Sequence, residues 1–366
     1  MSQKNLKPRV IFSFPSFESG GAEKASKLYY KSLKSKCDVF WITSSSNDDL
    51  SKDVSFKASW ISINNFSRKR RLLIHQVKLI KFLFSHSGQT TVISFQGHVL
   101  TVPLLRAFSA ITRRKVNIIY RESNDVNAYM KKEIKGKFKR LVFKYIIKGL
   151  PAVLADHIIV NSQGSRTSFL DLCNVDEKKL ICVYNPFFID NERHQVKSDV
   201  KIFDFGFVGR LVDQKQPFHF LEMCLVLKNC GKRFRAVISG DGVLLDSLKE
   251  KRDEMGLADI VSVQRYDRNI YHKITTLVLT SAYEGLPNVI LEGISSGCEV
   301  VSYDCESGPR EILPPRNLVQ KDRIDELAVR CAETLEAGYK PQVIENFRLD
   351  KFRGEEFVNS IMKVLR

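Results

Sequence analysis

The sequence lacks any apolar run near the roughly 18 residues that a membrane-crossing helix requires. It has no C-x-x-C pair: the eight cysteines stand apart at 37, 173, 182, 224, 230, 298, 305 and 331. A zinc cluster is therefore not expected, and reduced cytosolic thiols are. The seven histidines show no H-E-x-x-H or comparable ligand spacing. The dinucleotide fingerprint G-x-G-x-x-G is absent, as are short-period repeats and low-complexity tracts. Residues Met1 to Lys7 run straight into a strand-like Arg9–Phe14, without the apolar region and small-residue cleavage site of a signal peptide. These absences predict a cytoplasmic chain.

What is present is enough for more than one core. The chain has 366 residues, of which 43% are hydrophobic and 27% charged. Domains run to about 100–200 residues, so two are expected. The net charge is +17, and it is uneven. Residues 1–180 hold 32 basic and 13 acidic side chains, net +19; the remaining 26 and 28 give residues 181–366 a net charge of −2. Such asymmetry points the first half toward a nucleic acid, an anionic membrane or a phosphorylated ligand.

Short β-rich apolar runs alternate with helical patterns throughout. Strands are predicted near 9–14, 37–42, 91–95, 116–120, 157–160 and 180–184, with helices near 22–35, 70–86, 98–111, 130–149 and 163–172. The second half repeats the scheme, with strands over 202–208, 234–239, 260–264, 276–280 and 298–302 and helices over 217–230, 243–255, 287–296, 323–336 and 343–365. This alternation predicts parallel sheets with helices on both faces. The expected organisation is an N-terminal domain over 1–185, a polar linker over 186–200, a second domain over 201–345 and a C-terminal helix over 346–366. Two doubly wound domains imply a cleft, with ligands outside the carboxyl ends of the strands.

Five strand-end motifs carry candidate chemistry. After the first strand, Gly20 and Gly21 open a helix; they read either as a close approach to a phosphate at a helix start or as a plain turn. Arg210 and Lys215 follow the strand ending at Val208, and offer a planar fork and a compact charge to a pyrophosphate, or form a solvated basic loop. Gly240 and Gly242 leave room for a base or ribose, or make an ordinary turn. The sharpest motif is Ser281 to Gly293. Glu284 lies in its loop, Pro287 fits the first helical turn, and Glu292 lies further along the helix. The amides of Gly285, Leu286, Pro287, Asn288 and Val289 mark the segment that faces a bound ligand, proline itself having no N–H. Ser307 and Gly308 begin another loop-to-helix start.

In these motifs the sequence resembles glycosyltransferase family 4, of GT-B architecture and bacterial polysaccharide-biosynthesis type. The family's Glu-x7-Glu signature matches Glu284 to Glu292, and Gly-Gly-Ala-Glu, Gly-Arg-Leu-x3-Lys and Ser-Gly-Pro-Arg-Glu-Ile-Leu match in order and spacing. The resemblance is strongest over 202–313. It implies two Rossmann-like doubly wound α/β domains facing across a cleft, with the C-terminal helix packing back toward the N-terminal domain. It implies catalytic roles for Arg210, Lys215 and Glu284, with Arg210 and Lys215 on the nucleoside diphosphate leaving group and Glu284 on hydroxyls of the donor sugar. Gly20, Gly21, Gly240, Gly242 and residues 285–289 would bind the donor and Glu292 its ribose. Arg121, Asn124 and Ser307 would support the reacting centre or the acceptor. Departing from the family, the strand at Val261–Val263 is not followed by a glycine.

The implied activity is retaining transfer of a sugar from a UDP-linked donor to a lipid-pyrophosphate-linked saccharide, with no cofactor and no obligatory metal. The excess charge of the first half, concentrated near 67–84 and 131–148, then reads as basic amphipathic helices attracted to an anionic membrane. Their apolar faces are expected to be partly core. No recognition motif supports a nucleic-acid partner. A nucleotide-sugar epimerase on the same architecture is the alternative enzyme, since fold does not fix function.

Overall fold

The computed structural model describes residues 7–15, 21–43, 68–86, 88–187, 201–267, 269–305, 307–338 and 349–365. The chain forms two compact units: Met1–Phe187 with Lys351–Arg366, and Phe188–Asp350. The expected linker falls largely on residues 188–200, outside the described residues.

The first unit is a six-stranded, wholly parallel sheet: β1 (Arg9–Phe14), β2 (Asp38–Thr43), β3 (Thr90–Ser94), β4 (Val116–Arg121), β5 (His157–Val160) and β6 (Leu180–Cys182), in the order β2-β1-β3-β4-β5-β6. Side chains alternate across a strand, so a strand covered on both faces reads as a continuous apolar run. Val10, Phe12 and Phe14 enter one core with Tyr29 and Leu33 of α1 (Gly21–Leu33), while Ile11 enters the other with Leu79 and Leu83 of α2 (Arg68–Ser85). The helix over Gly354–Met362 belongs to this unit: Phe357, Val358 and Ile361 pack on the β1 face, and Asn117 Nδ2 donates to Val364 O at 2.6 Å. Of the helix expected over 343–365, residues 343–348 lie outside the described residues.

The second unit repeats the architecture with β7 (Phe203–Val208), β8 (Ala236–Ser239), β9 (Val261–Gln264), β10 (Ile274–Leu279), β11 (Glu299–Tyr303) and β12 (Leu318–Val319), all parallel, in the order β12-β11-β10-β7-β8-β9. The sequence reading lacked the two-residue β12, too short for an alternation to register. The strand order reverses between β7 and β10, and in open α/β sheets such a switch point is where ligands bind.

One expected helix is rebuilt. In place of a continuous helix over 130–149 the chain makes Val126–Glu133, Lys137–Leu141, a π-helix over Val142–Gly149 and Leu150–Leu154. Gly136, at φ 93°, breaks the first junction, and Asp125 caps the start by accepting from the Ala128 N–H at 2.9 Å. The outer face is more apolar than expected: Phe138 is 77% and Tyr145 61% exposed.

A buried histidine gives this unit a pH dependence. Ser13 Oγ lies 3.1 Å from His75 Nε2, and Gln76 Nε2 lies 3.2 Å from His75 Nδ1 and donates to Thr101 Oγ1 at 3.0 Å. Burial, with Lys78 nearby, lowers His75 to about 4. Below its ordinary value of 6.5 the unfolded chain therefore binds the proton that the folded chain refuses. Stability from this residue is complete above pH 6.5 and lost as pH falls toward 4. The loss should be on the order of 3 kcal/mol. Urea midpoints measured across that range should slope less in His75→Gln than in the wild type; equal slopes would remove His75 as the cause.

Candidate active site

The site is built on the switch point of the second sheet. Although β8 and β9 intervene in the chain, β7 and β10 are neighbours, so the loops that follow them meet. Thr280 Oγ1 donates to the carbonyls of Lys215 and Gln216, each at 2.9 Å. The Ala282 N–H donates to Gln214 O at 2.9 Å, and Gln214 Nε2 donates to Tyr283 O at 3.1 Å. The two backbones are thereby held in one register.

That lacing joins two predicted site residues. Lys215 Nζ and the Glu284 carboxylate form an ion pair, their side chains 16% and 8% exposed. Removing two charges from water is costly unless each satisfies the other, and here it does. The motif reading gave these residues separate tasks; the structure makes them one unit. Arg210 stays exposed, its guanidinium 3.3 Å from Gln214 Oε1. The loop after β11 completes the lacing: Ser307 Oγ donates to Glu284 O at 2.5 Å. Gly308 sits at φ 83°, and a Cβ there would lie 2.6 Å from Gly285 O. Ser307 thus braces the Glu284 backbone. Cys305, whose Sγ lies 3.1 Å from Ser281 O, is an inert thiol, its pKa pushed up by burial.

The helix that carries Glu292 spans Asn288–Ser295, with Pro287 as its cap rather than inside its first turn. Gly285, Leu286 and Pro287 are buried, and Asn288 and Val289 half-buried. Glu292 is half-buried and accepts from Tyr271 Oη at 2.6 Å. Burial and the neighbouring Glu292 carboxylate raise Tyr271 well above the ordinary tyrosine value, so it holds its proton and donates. Tyr271 was missed in the motif reading. It precedes β10, 21 residues from Glu292, and an aromatic before a strand carries no local mark of a polar task.

Gly240 and Gly242 stand close against the loop that follows β7. A Cβ at Gly240 would lie 1.8 Å from Gly209 O, and one at Gly242 2.3 Å from Leu211 O. On their Cβ side, these glycines make room for the β7 loop.

In the first unit, Gly20 lies outside the described residues. Gly21 opens α1, with nothing within 4 Å of where its Cβ would stand. Gln96 Nε2 donates to Glu23 Oε1 at 3.1 Å, tying the ends of β1 and β3. Arg121 is only 1% exposed. Its guanidinium donates to Asn185 Oδ1 at 2.9 Å and lies over the rings of Phe95, at 4.9 Å, and Tyr29, at 5.3 Å. It is a buried strut, whereas Asn124 is exposed at the carboxyl end of β4. Between them, Glu122 is a buried carboxylate that the motif reading passed over. Among the described residues no group of three or more histidine, cysteine or acidic side chains is placed to hold a metal, and no helix is long and apolar enough to cross a membrane.

Known proteins are similar to this chain in sequence and in fold. Residues 188–347 match the family model of glycosyl transferases group 1. An N-acetylgalactosamine-N,N'-diacetylbacillosaminyl-diphospho-undecaprenol 4-alpha-N-acetylgalactosaminyltransferase of Campylobacter jejuni is 28% identical over 313 residues, covering 81% of each chain. An uncharacterized glycosyltransferase of Methanocaldococcus jannaschii is also 28% identical, over 62% of this chain and 57% of its own length. The crystal structure of Anabaena HepE in complex with UDP and glucose superposes with a TM-score of 0.76, at 17% identity, over 98% of this chain and 99% of that one. The fold is GT-B, and with the family match and the relatives it supports a glycosyltransferase.

Proposed function

We propose that the chain is a retaining glycosyltransferase. It moves a hexose or N-acetylhexosamine from a UDP-linked donor to a lipid-pyrophosphate-linked saccharide in surface polysaccharide assembly. The observation that carries this reading is the Lys215–Glu284 pair at the switch point, with Arg210 exposed beside it. Departure of the diphosphate leaves an oxocarbenium-like sugar, so the largest electrostatic task is to stabilise the leaving oxygens. Arg210 offers them a planar fork. The Lys215 ammonium has three donors, of which Glu284 takes one in this structure. Glu284 accepts from hydroxyls of the donor sugar. Glu292, oriented by Tyr271, accepts from the ribose. These cations supply the charge that a metal would otherwise bring.

The acceptor belongs to the basic first unit. The Campylobacter relative, named for a diphospho-undecaprenol-linked substrate, supports a lipid-linked acceptor. Exposed Phe138, Leu141 and Tyr145 stand among exposed Lys135, Lys137, Lys139 and Arg140. Apolar side chains ringed by cations suit the cytoplasmic face of an anionic membrane, on which the chain sits peripherally.

Incubation with UDP-sugars and a lipid-pyrophosphate-linked saccharide should yield a product one sugar heavier, with the donor's anomeric configuration. EDTA should leave the rate unchanged. Donor isomerisation without acceptor would replace this reading with the epimerase, and a rate lost to EDTA and restored by a divalent cation would overturn metal independence.

A further inference from the structure

Glu122 is buried one residue past β4, and its carboxylate is surrounded by hydrogen-bond donors. Oε1 accepts from the backbone N–H of Ser123 at 3.0 Å and of Asn124 at 3.3 Å. Oε2 accepts from Tyr120 Oη at 2.8 Å and from Lys148 Nζ at 2.5 Å. Burial alone would raise its pKa, but the Lys148 ammonium and these bonds hold it well below the usual carboxylate range. Behind it His98 lies against the Tyr120 ring, centroids 4.2 Å apart, with its Nδ1 3.0 Å from Ser94 Oγ. Asn161 Nδ2 donates to Ser123 O at 3.1 Å, and Asp125 caps the next helix. Glu122 thus holds the Ser123 and Asn124 amides, while Asn161 and Ser168 hold Ser123 and Asp125, and the loop carries the exposed Asn124.

Lys148 reaches Glu122 from within the π-helix over Val142–Gly149. In an α-helix, residues 137, 144 and 148 share one face. The π-helix bonds i to i+5, which turns Lys148 partway toward buried Phe143; its Nζ lies 5.4 Å from that ring's centroid. Gly149 permits the turn, since a Cβ there would lie 2.9 Å from Lys144 O.

We propose that Glu122 and Lys148 are positioning residues, holding the Ser123–Asp125 backbone in the geometry that seats the acceptor beside Asn124. This rests on the reading of the first unit as the acceptor side. Without Lys148, a buried carboxylate faces only neutral donors; it takes up a proton or admits water, and the loop amides lose their acceptor.

The test compares wild type with Lys148→Met, Lys148→Arg, Glu122→Gln and Gly149→Ala. In hydrogen exchange, the Ser123 and Asn124 amides should speed up about tenfold in Lys148→Met, the size expected for loss of a charge-assisted hydrogen bond. Lys148→Arg should restore protection, and Gly149→Ala, which rotates Lys148 away, should reproduce the loss. In transfer assays the acceptor KM should rise about tenfold in Lys148→Met and Glu122→Gln, while the donor KM holds. Unchanged exchange overturns the proposal, as does an equal rise in both KM values. Should Glu122→Gln fail to fold, Lys148→Arg against Lys148→Met decides alone. A wild type without transfer would defeat the functional reading only; the exchange result stands by itself.

Discussion

Lys215→Met is expected to lower kcat by about 10²–10³-fold, the usual cost of removing one preorganised charge from a developing anion. The substitution keeps the length of the side chain and removes only its ammonium. Two losses follow. The leaving diphosphate forfeits a cation, and Glu284, 8% exposed, loses its ion-pair partner. Leaving one member of a buried pair uncompensated costs roughly 3–5 kcal/mol of stability, so melting temperature falls along with rate. Glu284→Gln should show the converse loss, and the double substitution should be more stable than the sum of the two singles predicts, because each single strands the other member of the pair and the double strands neither. Steady-state kinetics with saturating donor, and urea unfolding of all three variants, check both parts. A kcat within twofold of wild type in Lys215→Met would remove Lys215 from the catalytic machinery; additive stabilities would show that the pair carries no coupling.

The largest expected effect on folding lies at the C-terminal helix. Phe357→Ala should cost the first unit about 3–5 kcal/mol, the range for deleting a buried phenylalanine where the site cannot collapse. Phe357 is buried with its ring centroid 4.3 Å from that of Tyr29, and Tyr29 in turn packs edge-on to Phe12 and Phe95. The aromatic cluster that receives it covers the β1 face of the sheet and contains the Arg121 guanidinium. A void there therefore loosens the strut at the end of β4 as well as the core. Native-state hydrogen exchange separates the units: amides of β1, β3 and β4 should lose protection while those of β7 and β10 keep theirs. Equal loss in both sheets, or none, would contradict this assignment of the helix to the first unit.

Much of the fold was legible in the sequence. Strands such as Arg9–Phe14 and His157–Val160 sit where the apolar runs put them, because a strand buried on both faces has no choice but to be apolar throughout. The motifs were found at carboxyl ends of strands, where glycines, cations and carboxylates interrupt the apolar pattern. The 3.6-residue periodicity over 130–149 is real locally, but Gly136 breaks the helix at a positive φ, and the partner of Lys148 in the π-helix, Glu122, lies 26 residues away. Gly240 and Gly242 were visible as glycines, but what they accommodate, the carbonyls of Gly209 and Leu211, was not.

The sequence by itself determined the alternation of strands and helices, the uneven charge and the residue types at each strand end. The tertiary structure alone decided which of those residues meet. Lys215 and Glu284 are 69 residues apart, and nothing in the periodicity around either names the other. They are joined because the crossover returns the chain to place β10 beside β7, and because loops laced by hydrogen bonds to their backbones leave a half-buried lysine and a buried carboxylate no better partner than each other.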